Sequence, residues 1–274
     1  MGRDFSKVKR IVVKIGSSSL TYSDTHKLNI DRIDRFAREI SDITNSGVEV
    51  ILVSSGAIAT GMSRLNITTK PENLGKRQAL ACVGQSNLME IYNKCFADYG
   101  YTAGQLLLTK YVIDNKQTRE NAENCINEML NLNIIPIINE NDSISVEEIK
   151  LGDNDNLSSI VARLVKADLL ILLSDIDGLF TKDPNKYADA QKIEEVENIE
   201  DLKIEKSESK SSLGTGGIQT KIKACEDATN AGIDCVIANS SNIHAIKQIL
   251  SNKNTGTYFK AKRKQKLKEI EQSL

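Results

Sequence analysis

Two knots of carboxylates and amides stand close together near the middle of this 274-residue chain. The first, Asn139-Glu140-Asn141-Asp142, ends the short apolar run Ile134 to Ile138. The second, Gly152-Asp153-Asn154-Asp155-Asn156, opens a helical pattern of Leu157, Ile160, Val161, Leu164 and Val165. An apolar run of that length reads as a buried strand. The knots therefore sit at a strand exit and a helix entrance, where open α/β sheets keep their ligands. Asn and Asp also serve loops as turn formers and caps, and one such cluster would need no further reason. Two clusters with several converging carboxylates need cationic partners, and two lysines are placed to supply them. Lys14 leaves the apolar run Ile11-Val12-Val13 and precedes Gly16-Ser17-Ser18-Ser19. A lysine at a buried strand exit is costly unless an anion meets it, and a turn of small residues can turn its N–H groups toward phosphate. Lys221 follows Gly214-Thr215-Gly216-Gly217 and falls in the first turn of a helix starting near Ile218. A cation there opposes the helix dipole by a few tenths to about 1 kcal/mol, a sign that a bound anion would reverse.

Two lysines from opposite ends of the chain, with Gly-rich helix entrances, suit phosphoryl transfer, which needs mainly positioning and charge neutralisation. If the acceptor is itself a carboxylate, two anions must meet. At about 4 Å and an effective dielectric near 20 their repulsion is on the order of 4 kcal/mol, and a lysine on each side offsets it. Other chemistries lack their residues. There is no G-x-x-x-x-G-K-[ST], no H-R-D and no D-F-G. Ser54-Ser55-Gly56-Ala57 follows a strand, an arrangement suited to holding an anion on helix N–H groups, but it is not the Gly-x-Ser-x-Gly nucleophile turn. With only His26 and His244, a His-based triad or His-rich metal site has little to work with, and no metal-ligating set is expected. Cys82, Cys95, Cys125, Cys225 and Cys235 are odd in number and form no Cys-x-x-Cys, which fits reduced cytosol and argues against a disulfide framework.

The elements that must position these residues alternate along the chain. Strands are expected at Ile11 to Val13, Val48 to Val53, Gln105 to Thr109, Ile134 to Ile138, Leu169 to Leu173 and Val236 to Ala238. Helical patterns run over Ile30 to Ile43, Leu74 to Tyr99, Arg119 to Leu132, from Leu157, from Ile218 and over Ile243 to Leu250. Such alternation predicts a mostly parallel sheet covered on both faces. Hydrophobic residues at 40% suffice for a large core, made mostly aliphatic by the absence of Trp and an aromatic share of 4%. The segment Lys186 to Ser212 is charged and weakly periodic and reads as a loop excursion. Within it, about Lys203 to Leu213 reads as a flap that bound nucleotide would restrain. A net charge of -1 gives no drive toward nucleic acid or a membrane surface, and the basic residues after Ser251 read as a solvated terminal helix. No apolar run is long enough to cross a bilayer.

Three segments carry a resemblance: Lys14-Ile-Gly-Ser-Ser, Ser174-Asp-Ile-Asp-Gly-Leu-Phe with Asp183-Pro184, and Thr215-Gly-Gly-Ile-Gln-Thr-Lys221. They resemble the amino-acid kinase superfamily, including aspartokinases, acetylglutamate kinases and uridylate kinases. Three others, Val53-Ser-Ser-Gly-Ala-Ile-Ala, Ile138-Asn-Glu-Asn-Asp142 and Leu151-Gly-Asp-Asn-Asp-Asn-Leu-Ser, closely resemble the glutamate 5-kinase branch. The resemblance runs from about Arg10 to Phe259. It implies a three-layer α/β/α sandwich with a mainly parallel eight-stranded sheet. The kinase domain would span 1–259, with a substrate half to about 165 and a nucleotide half beyond it, followed by a basic tail at 260–274. It also implies transfer of the ATP γ-phosphoryl group to the side-chain carboxylate of L-glutamate, the first step of proline biosynthesis. On that basis Lys14 and Lys221 would stabilise the transferring group, with Asp155 orienting them. Ser55, Asn139, Asp142 and Asn154 would hold glutamate, Asp142 suiting its ammonium. Ser174, Asp175, Thr215, Gly216, Gly217, Ile218, Gln219, Thr220 and the two lysines would hold ATP, with Mg²⁺ carried mainly by the phosphates. A cytoplasmic homo-oligomer, dimer or tetramer, with feedback inhibition by proline is implied as well. Many relatives carry a C-terminal PUA-type RNA-binding domain, for which this chain is too short.

Two other readings compete. A sister enzyme could act on another small acid or a nucleotide, but a nucleotide acceptor needs basic phosphate clamps in the N-terminal half, and none is seen beyond Lys14. A non-catalytic effector-binding regulator of the same fold would be favoured by loss of Lys14, Lys221 or Asp155, and all three are present.

Overall fold

The structure, a computed structural model, describes residues 3–22, 25, 27–144, 154–182, 184, 186–202 and 217–262. Gly152, Asp153, Asp183, Thr215, Gly216, the segment 203–213 expected to act as a flap, and the tail beyond 262 lie outside the described residues.

The chain lays down strand β1 (Arg10–Ile15), short helix α1 (Ser17–Leu20), α2 (Ile30–Asn45), β2 (Glu49–Ser54), α3 (Ala57–Arg64), α4 (Leu74–Ala97) and β3 (Thr102–Leu108). Next come α5 (Lys110–Asp114), α6 (Lys116–Asn131), β4 (Ile134–Glu140), α7 (Asn154–Leu164) and β5 (Leu169–Ser174). The hairpin strands β6 (Leu179–Phe180) and β7 (Lys192–Ile193) precede β8 (Glu195–Val196), α8 (Ile218–Asn230), β9 (Asp234–Asn239), α9 (Ala245–Leu250) and β10 (Thr257–Phe259). Eight strands form one sheet in the order β3-β4-β2-β1-β5-β9-β10-β8. Every pairing is parallel except β9 with β10. This is the expected α/β architecture with an eight-stranded, mainly parallel sheet.

Both faces of the sheet are covered, so its central strands are apolar on both sides. Alternation then sorts side chains by layer. Ile11, Val13 and Ile15 of β1 pack with Ile33, Phe36 and Ile40 of α2 and with Leu88 and Tyr92 of α4. Val12 packs in the opposite core with Leu157 and Val161 of α7 and Ala224, Cys225 and Ala228 of α8. Lys14, in phase with Val12, is thereby aimed at the α7–α8 layer. By the same parity Ser54, Gln105 and Asn139 share the face of Leu52, Ala103 and Ile137, which belong to the α4 side.

The register brings the carboxyl ends of five adjacent strands into one row. Ile15 pairs with Ser54 and Leu173, Val53 with Ile138, and Ser174 with Asn239. Helix α3 starts from Gly56, whose φ of +107° is a left-handed turn that favours glycine. It then crosses α4 backbone to backbone. A Cβ on Gly84 would lie 1.7 Å from the Ala57 carbonyl oxygen, and one on Gly61 2.0 Å from that of Leu80. The sequence predicts an excursion over Lys186 to Ser212, but β7 and β8 lie within it. Strands of two residues are too short to show a period of two, and β8 is held by β10, far along the chain.

Candidate active site

The buried carboxylate of Asp155 is the centre. It stands in the first turn of α7 with no solvent exposure. Lys14 Nζ lies 2.6 Å from its Oδ1, and Lys221 Nζ 3.0 Å from its Oδ2. Both lysines are themselves buried, at 4% and 7% exposure. Thr220 Oγ1 lies 3.0 Å from Oδ2 and 2.8 Å from the Gly217 carbonyl oxygen. Burial alone would raise the Asp155 pKa. The two ammonium groups outweigh it, so the carboxyl is held below its ordinary range and stays ionised. The cations required by the acidic clusters are thus Lys14 and Lys221, brought from opposite ends of the chain onto one carboxylate.

Around it lie the N-termini of short loops. Gly16 follows β1, and a Cβ there would be 3.6 Å from Lys14 Nζ. Gly217 precedes α8, whose first turn carries Ile218, Gln219, Thr220 and Lys221. Ser174 ends β5; its hydroxyl bonds the exposed carboxylate of Asp175 at 3.0 Å, and its carbonyl accepts the Ser240 N–H. These two residues sit one strand from Lys14 at the same edge, but neither bonds the lysine cluster.

On the α4 side a network of neutral polar groups continues the row. Asn154 Nδ2 donates to the Ser54 carbonyl at 3.1 Å, to Ser55 Oγ at 2.8 Å and to Asn139 Oδ1 at 2.9 Å. Asn139 Nδ2 donates to Gln85 Oε1 at 3.0 Å, and Gln85 Nε2 to Gln105 Oε1 at 2.9 Å. Ser54 Oγ and Tyr92 Oη are 2.8 Å apart in the core; burial pushes the Tyr92 phenol up to about 12, so it stays neutral. Beyond this network opens a cavity of about 470 Å³. It is lined by Glu140, Asn141, Asp142 and Ser143 after β4 and by Gln85, Ser86, Met89 and Gln105 of α4 and β3.

The expected residues fall into these groups. Lys14, Asp155 and Lys221 form one ion cluster; Ser55, Asn139 and Asn154 share one hydrogen-bond network; and Asp142 lines the adjoining cavity. Sequence reasoning missed Gln85, Gln105 and Tyr92 as parts of the site, and the contact of Thr220 with Asp155. A glutamine inside a long helix carries no signal of its own; only the parity of β3 and β4 could have pointed to it. His244 packs against Glu39 between α2 and α9, at 3.4 Å, and takes no part in the cluster. Among the described residues no group of His, Cys, Asp and Glu could cage a metal ion, and no helix is long and apolar enough to cross a membrane.

The profile of the amino acid kinase family matches residues 9–239. A glutamate 5-kinase of Carboxydothermus hydrogenoformans is 48% identical over 263 residues, which cover 96% of this chain and 70% of the relative. One of Clostridium acetobutylicum is 47% identical over 260 residues, covering 94% of this chain and 97% of its own length. Among solved structures, carbamate kinase from Giardia lamblia bound to AMP-PNP superposes with a TM-score of 0.64 at 16% identity, over 93% of this chain and 99% of that one. At that identity the likeness speaks for the fold alone.

Proposed function

The chain belongs to the amino acid kinase family and, within it, to the glutamate 5-kinases; from that premise we propose that the Lys14–Asp155–Lys221 cluster is where the γ-phosphoryl group of ATP passes to the side-chain carboxylate of L-glutamate. The product is glutamyl 5-phosphate, the entry to proline biosynthesis. The observation that carries this reading is one fully buried carboxylate engaged on both oxygens by lysines from β1 and α8.

An ammonium has three donors. Asp155 holds both ammonium groups on one carboxylate, so that their positive charges meet the phosphoryl oxygens together. The acceptor carboxylate arrives ionised, so no proton must be abstracted. Asp155 is held ionised between two cations and is a positioning group rather than a base. What the reaction needs is neutralisation of the two converging anions, worth on the order of 4 kcal/mol at about 4 Å, and the two lysines supply it from either side. ATP would lie along the row of Gly16, Ser174, Asp175 and Gly217 to Lys221; Thr215 and Gly216, expected to join them, lie outside the described residues. Mg²⁺ would be carried mainly by the ATP phosphates and would supply further charge neutralisation there. That fits a donor set in which both Asp155 oxygens are already taken by lysines. Glutamate would lie between the Ser55–Asn154–Asn139 network and Asp142, whose carboxylate suits its ammonium. Proline inhibition, a homo-oligomer and a cytoplasmic location belong to the same reading by family likeness.

An ATPase-coupled assay across glutamate, N-acetylglutamate, aspartate and UMP tests it. Glutamate is expected to be turned over best. Preference for any other acceptor would overturn the assignment of the pocket.

A further inference from the structure

Four side-chain amides join α7, β4, α4 and β3 head to tail: Asn154 to Asn139, Asn139 to Gln85, Gln85 to Gln105, at 2.9, 3.0 and 2.9 Å. An amide has a donor end and an acceptor end, so such a chain has a direction. Turning one member round would set N–H against N–H on one side and oxygen against oxygen on the other. Two backbone groups fix that direction. Asn139 Oδ1 also accepts the Glu140 N–H at 2.9 Å, and Asn154 Nδ2 also donates to the Ser54 carbonyl. Neither backbone group can turn. From there the polarity passes outward: Asn139 must offer N–H to Gln85, Gln85 must offer N–H to Gln105, and Gln105 must keep its carbonyl on the protein. Its NH₂ is then left for the cavity that Gln105 and Asp142 both line.

We infer that Gln85 is a positioning residue for the acceptor substrate, fixing the Gln105 amide so that its N–H groups meet the substrate carboxylate that is not phosphorylated. This rests on the glutamate reading of the site. That ligand is a zwitterion with a second carboxylate: Asp142 answers the ammonium, the lysines answer the reacting carboxylate, and the α-carboxylate needs neutral donors. Gln85 is placed for this work. It is 7% exposed, and its neighbour Gly84 presses on the Ala57 carbonyl, so α4 cannot shift to present another group. A chain of amides whose three inner members are buried polarises in one sense and loses that sense when a link is removed.

Steady-state kinetics test it on the intact protein. Gln85→Met keeps the volume but leaves Gln105 free to turn, and should raise the glutamate KM by about 5-fold or more with the ATP KM within about twofold. Gln85→Glu sets an acceptor against Gln105 Oε1, forces the amide round and should raise the glutamate KM further. Gln105→Met alone should raise it comparably. In the Gln105→Met background, Gln85→Met should add little, because it acts through the lost amide. Equal effects of Gln85→Met in both backgrounds, or an unchanged glutamate KM, would overturn the inference. Should Gln85→Met fail to fold, Gln105→Met, an exposed side chain, carries the test, and a normal glutamate KM there refutes it. Wild-type turnover of glutamate is measured first. Its absence overturns the glutamate reading and this inference together, whereas normal wild-type turnover with unaffected variants overturns the inference alone.

Discussion

Replacing Asp155 by asparagine keeps its shape and removes its charge, which leaves two buried ammonium groups facing a neutral amide. Breaking a buried ion pair by deleting one partner costs about 3–5 kcal/mol, because a charge is left uncompensated. Here a single deletion orphans both Lys14 and Lys221, at 4% and 7% exposure, so the upper part of that range applies. For a chain of this size about 4 kcal/mol corresponds to a Tm lower by roughly 10 °C. Turnover should fall by about 10²-fold or more, the usual cost of losing one aligned donor at a transition state, since both lysines lose their common anchor. Three features separate this account from general damage. First, ATP should raise the Tm of Asp155→Asn more than that of wild type, since phosphate would replace the missing charge. Second, Lys221→Met added to Asp155→Asn should restore part of the Tm, since it removes an orphaned charge. Third, the Tm gap should depend on pH with a defined sign. The folded-state pKa of Asp155 is depressed, so its contribution is present above the unfolded value of about 3.9 and is lost as pH falls through the folded value. The gap should therefore hold through neutral pH and narrow in acid. Calorimetry from pH 3 to 8, with and without an ATP analogue, reads all three. A Tm within about 2 °C of wild type with turnover within threefold would refute the argument that this cluster is held by Asp155.

Three further outcomes follow from the same geometry. Lys14→Ala and Lys221→Ala should each lower kcat by about 10²-fold or more in a folded protein, and near-normal turnover in either would remove that lysine from the mechanism. Asp142→Ala should raise the glutamate KM far more than the ATP KM, because Asp142 lines the cavity away from the Gly-rich turns; separate titrations of the two substrates decide it. Thr220→Val removes a hydroxyl 3.0 Å from Asp155 Oδ2. A hydrogen bond to a charged group is worth about 1.5–3 kcal/mol, so kcat should fall by at least about 10-fold, with Thr220→Ser near wild type. An equal loss in both variants would place the effect in the methyl group rather than the hydroxyl.

What could be read ahead of the structure was what obeys local rules. The strand run ending at Lys14, the helix opening at Asp155 and the Gly-rich approach to Lys221 each carry their signal within a few residues. The demand of clustered carboxylates for cations then linked them without any contact being known. Thr220 was legible as part of a phosphate turn, but its bond to Asp155 depends on where α7 and α8 meet, which no local pattern records. Strands β7, β8 and β10 escaped because two or three residues cannot display a period, and they owe their strand form to partners remote in the chain. Gln85 escaped for a different reason. Helix α4 packs against the sheet on one side and lies backbone to backbone on α3 on another, so its apolar residues do not keep to one stripe and a single buried polar residue does not stand out. Its role appears only when strand parity is followed across β3 and β4. Gln105 and Asn139 must then point to the same layer, and something in that layer must satisfy both. The charged groups of this cluster are legible because charge is costly to place without a partner. The neutral amides beside them are not, because an amide's direction is set by its neighbours in space.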